Sequence, residues 1–162
     1  MLDEFNISAQ ELGKAADAQE ITRLYGEFLD SFASSLLEVE NSSHSPLIQG
    51  RLVKGLEDIL FEAAIEMLDD MSKAKPDDLD GISARYNAAY KLLSVRVGDQ
   101  RTDMTDAQTQ KLWHTSGMVS RHFRALSLPQ FGRDRNTRDQ YVRIADQAKQ
   151  IIPSLKDLQK PK

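Results

Sequence analysis

The sequence predicts an all-α fold, a single-domain bundle of about five helices. Apolar residues recur at three- and four-residue steps through five segments, and no segment shows convincing period-2 alternation. Helix-start and helix-stop residues bound most of these runs. A chain of 162 residues, 40% hydrophobic and 28% charged, suits one domain spanning 1–162, with frayed ends expected at about 1–7 and 154–162.

The first helix is read from Ser8-Ala9-Gln10-Glu11, which has the form of a capping box. Ile21, Leu24, Tyr25, Phe28, Phe32 and Leu36 extend it on one stripe to about Glu40. Such a rod, about 30 residues long, exceeds the usual helix length and offers an outer seam for a homodimer. Ser45-Pro46 opens the second helix, because proline at the first helical position loses no needed donor. Its broad apolar face runs from Leu52 to Met71, and Lys75-Pro76 stops it.

Asp77 or Asp78 is placed to cap the third helix, whose stripe runs from Leu79 to Val97 and which terminates at Gly98. A polar connector, Asp99 to Met104, leads to a second capping-box form, Thr105-Asp106-Ala107-Gln108. The fourth helix then presents Leu112, Ser116, Val119, Phe123 and Leu126 inward before Leu128-Pro129. After an irregular stretch, Gln130 to Asn136, a fifth helix is expected with Asn136 or Thr137 as its cap. Tyr141, Ile144, Ala145, Ala148, Ile151 and Ile152 face inward, and Pro153 breaks or restarts it.

Charge is divided unevenly along this framework. Residues 1–80 carry 18 acidic and 6 basic side chains, a balance of −12, and residues 81–162 carry 7 and 15, a balance of +8. The net charge of −4 conceals that split, which points either to charged partners or to one half folding against the other.

Two charged constellations follow. Arg121, Arg124, Arg133, Arg135 and Arg138 form an Arg-rich region, and Trp113 shares a helical sector with Gly117 and Arg124. Guanidinium groups bind carboxylates and phosphates bidentately, and an adjacent aromatic ring can stack a base or hold a cation. On the second helix, Asp58, Glu62, Glu66 and Asp70 recur every four residues and make one acidic stripe, with Glu57 and Asp69 at its margins. That stripe is read as solvated, as paired with the arginines, or as a surface for a basic partner.

Catalytic and metal signatures are not legible. The chain has no cysteine, no Glu-x-x-His pair, no His-Glu-x-x-His, no Gly-x-Ser-x-Gly and no phosphate-binding glycine loop. Asp77-Asp78-Leu79-Asp80-Gly81 resembles a calcium-loop fragment, but Ala88 stands where the loop's closing Glu belongs. The expectation is therefore a non-enzymatic interaction or regulatory protein without cofactor or metal. Its partner is expected to be a charged protein, engaged through the Arg-rich face and the acidic stripe. The alternative is a nucleic-acid-binding accessory protein using the same arginines with Trp113, against which the pI of about 5.4 argues. No apolar run is long enough to span a bilayer, and the first residues resemble no secretory signal, so a cytoplasmic setting is expected.

Overall fold

A computed structural model describes residues 2–98 and 104–159, without the side chains of 96–98, 158 and 159. The described residues are all-helical with no strand, and they form seven α-helices where the periodicity suggested five. These are α1 (Leu2–Gly13), α2 (Ala18–Glu40), α3 (Pro46–Lys73), α4 (Leu79–Gly98), α5 (Asp106–Leu126), α6 (Arg135–Lys149) and α7 (Ile151–Gln159), with a 3-10 turn at Pro129–Phe131.

The expected first rod is two helices, and the reason lies in the phase of its apolar residues. At about 100° per residue, the stripe of Phe5, Ala9 and Leu12 lies roughly 150° around from that of Ile21, Phe28, Phe32 and Val39. A straight helix would bury one stripe and expose the other. The chain instead turns at residues 14–17, and Asp17 in extended conformation caps α2 by accepting the Glu20 amide at 2.8 Å. Ser8 caps nothing; it lies inside α1 and its hydroxyl donates to the Glu4 carbonyl. Folding back stacks Phe5 on Phe28 with ring centroids 4.7 Å apart, and Phe5 is fully buried. Helix α1 begins at Leu2, and Leu155 of α7 is buried as well. Residues 160–162 lie outside the described residues.

Other boundaries follow their caps. Ser45 caps α3 with Pro46 at its first position. Asp78 caps α4, accepting the Gly81 amide. The Thr105–Gln108 capping box forms in full. The expected cap at Asn136 or Thr137 is corrected to Asp134, which accepts the Thr137 amide at 2.7 Å. Gly132, at φ +69°, makes that earlier start possible by turning the chain in the left-handed region. The side chain of Val97 and the connector 99–103 lie outside the described residues.

Packing centres on α3, which touches α1, α2, α4 and α5. Helices α5 and α6 form an antiparallel hairpin, and α7 returns to α4. Fully buried Tyr141 donates its hydroxyl to the Pro76 carbonyl, tying α6 to the α3–α4 turn. Among the described residues, no helix is long and apolar enough to cross a membrane.

Candidate functional site

The two charged constellations come to lie on opposite flanks of α5. On a helix advancing about 100° per residue, Gln108 and Lys111 share one flank, while Trp113, Gly117, Arg121 and Arg124 share the other.

The first flank faces the acidic stripe of α3. Gln108 donates to Asp58 at 2.9 Å, and Lys111 pairs with Glu62 at 2.8 Å. Helix α1 closes on the same stripe from the other side. Asp58, Glu62 and Glu66 share a shallow groove of about 220 Å³ with Asn6, Ala9 and Gln10 of α1. At its end the Glu66 carboxylate passes over Gly13, 2.7 Å from where a Cβ would stand. Asp70 is half-buried, and burial first, then the Glu66 charge, pushes its carboxyl above the usual carboxylate range. The positive charges of Lys73 and Arg85 act in the opposite direction. Arg85, itself 9% exposed, reaches from α4 to donate to the Ala15 carbonyl at the α1–α2 turn. Glu57, expected at the stripe's solvated margin, is fully buried.

The second flank forms an open groove of about 270 Å³ against α6 and α7. Trp113, Ser116, Gly117, Ser120, Arg121 and Arg124 line it from α5, Lys149 from α6, and Ile152 from α7. Trp113 is 70% exposed. Its indole is therefore a groove wall open to solvent. Ser116 and Ser120 are buried, and Gly117 leaves room for the Arg121 guanidinium, whose Nη1 lies 3.5 Å from the position a Cβ would take. Among the described residues, Arg121 and Lys149 make no ion pair; Arg124 pairs with Asp146 of α6 at 2.6 Å. Lys149 closes the last turn of α6, where the helix dipole also favours a cation.

The five arginines of the sequence do not share this groove. Arg133 lies over Tyr141, 5.3 Å from the ring centroid, and donates to the Leu126 carbonyl. It closes the α5–α6 turn. Arg138 is half-buried, with its Nε enclosed and unpartnered, and exposed Arg135 sits 4.0 Å from Asp139. The structure brings together Arg121, Arg124 and Trp113, and adds Lys149, which sequence reasoning did not select. Its position three residues before inward-facing Ile152 was the available signal.

A third concavity lies between α4 and α6, a polar cavity of about 370 Å³ that includes Ser83, Asn87, Asn136, Asp139 and Arg143. Tyr86 on its wall donates to the Gln147 carbonyl, and burial pushes its hydroxyl up to about 12, so it serves as a donor and not a base near neutrality. Among the described residues, no three acidic or histidine side chains converge to hold a metal ion. No family model, curated protein or solved structure matches the chain.

Proposed function

We propose that this chain is a non-enzymatic helical bundle that binds an acidic partner protein through the groove between α5 and the α6–α7 corner. One observation carries the reading: two cations that make no ion pair among the described residues, Arg121 and Lys149, flank a groove walled by a 70% exposed tryptophan. Exposed charge of this kind steers encounter and selects partners, while the aromatic wall supplies contact area and an anchor. The acidic stripe plays a smaller part, because Asp58 and Glu62 already bond α5 and Glu66 lies against α1. The alternative partner, a nucleic acid, draws support from the indole's capacity to stack a base beside cations. The chain's net charge of −4 opposes it.

The single tryptophan provides the test, because its emission reports this groove alone. Polyglutamate is expected to shift Trp113 emission at low salt, with the effect weakening as salt rises. Arg121→Gln combined with Lys149→Gln is expected to abolish the shift without lowering the melting temperature. Absence of any shift at low salt overturns the proposal, and a response to single-stranded DNA alone favours the alternative.

A further inference from the structure

The Arg124–Asp146 pair shows which chemical group this groove accepts. Its Nη2 to Oδ1 distance is 2.6 Å, short for a charge-assisted bond, and both side chains remain about half exposed, at 51% and 55%. A carboxylate thus already sits on one of the groove's cations. Arg121 and Lys149, on the same groove, hold none among the described residues. Asp146 itself lines the furrow that opens toward α4, so one carboxylate joins two concave surfaces across α6. The rest of the wall is apolar or small: Trp113, Ser116, Gly117, Ser120 and Ile152.

We infer that the groove takes a short acidic peptide segment with an apolar side chain, and that Asp146 is an internal competitor for Arg124. This rests on reading the groove as a docking site. Carboxylates of the segment meet Arg121 and Lys149, its apolar side chain lies against Trp113, and one further carboxylate replaces Asp146 on Arg124. Exchange of one carboxylate for another keeps the guanidinium satisfied throughout. The pair therefore lowers affinity for weakly acidic segments and selects those able to supply a third carboxylate.

The probe is a peptide of glutamate pairs alternating with leucine, titrated against Trp113 emission in the full chain. Asp146→Asn is expected to tighten binding about two- to five-fold, the range that follows from the strength of an exposed ion pair. Asp139→Asn removes the same charge from α6 but frees no groove cation, and is expected to leave affinity unchanged. In an Arg124→Gln background, Asp146→Asn is expected to bring no gain. Wild-type binding with unchanged or weaker affinity in Asp146→Asn overturns the competitor while leaving the docking reading intact. An equal gain from Asp139→Asn overturns it as well, because net charge then explains both. No response from wild type or Asp146→Asn overturns the docking reading itself. Tighter binding of a mixed-sequence oligodeoxynucleotide than of the peptide overturns the choice of a peptide.

Discussion

The acidic row on α3 and the basic groove beside α6 are both charge clusters on helical faces, yet the fold treats them differently. Along α3, Gln108 bonds Asp58 and Lys111 pairs with Glu62, while Glu66 lies against the end of α1 and Asp70 is half-buried with the Arg85 charge nearby. Along the other flank of α5, Arg121 and Lys149 stay without ion pairs among the described residues, beside an indole open to water. The opposite charges of the two halves are thus only partly spent on each other. A charge split in sequence signals assembly where a helix closes over it, and on the proposed reading it serves recognition where a groove is left open.

The strongest way to break the contrast is to remove what covers the acidic side. Phe5→Ala takes a fully buried ring from its stack on Phe28, and is expected to cost about 3–5 kcal/mol in denaturant unfolding. Loosening α1 in this way is expected to expose more of the α3 row, while the basic groove, which α1 does not line, keeps its walls. Thr105→Ala removes the cap of the helix that carries both flanks, and is expected to cost about 1 kcal/mol by the same measurement.

Smaller changes sharpen the comparison. Glu62→Gln breaks the pair with Lys111, which is half exposed on both sides, so a loss of less than about 1 kcal/mol at low salt is expected. That loss disappears at high salt, whereas Arg121→Gln leaves the melting temperature unchanged at either. Gly13→Ala displaces only the flexible end of Glu66, and is expected to stabilise by a few tenths of a kcal/mol, up to about 1, by restricting the unfolded chain.

The pH dependence carries a sign for each carboxylate. Asp70 binds its proton more readily folded than unfolded, so its contribution falls as pH rises from about the ordinary 3.8 through its raised folded value. Asp70→Asn is expected to remove that slope from a pH series of unfolding curves. Asp134 is opposite: its cap bond to Thr137 lowers its pKa, giving stability present above 3.8 and lost as pH falls through the lower folded value.

Much of the architecture was legible because local chemistry sets it. Ser45-Pro46, Asp78 and the Thr105 box mark helix starts that the structure keeps. The break between α1 and α2 was also written in the chain, in the phase reversal between Leu12 and Ile21 and in the Asp17-x-x-Glu20 spacing. A stripe followed only from Ile21 onward misses it. The α6 start was misplaced because the turn chemistry of Gly132 lets Asp134 outcompete Asn136. At the candidate site, the helical sector shared by Trp113, Gly117 and Arg124 was readable from spacing alone. Withdrawal of Arg133 onto Tyr141 was not, since it depends on how the α5–α6 turn folds over the core. Burial of Glu57 and Arg85 likewise arises from contacts distant along the chain.

The corner at Gln150 gives this arrangement room to vary. There α6 stops, and α7 restarts with Pro153 in its first turn, where a missing amide costs nothing. Lys149 and Ile152 stand on either side of that corner, so the angle between two short helices sets the gap facing Trp113. Substitutions at this one joint are expected to widen or narrow the gap while leaving every side chain of the groove as it is.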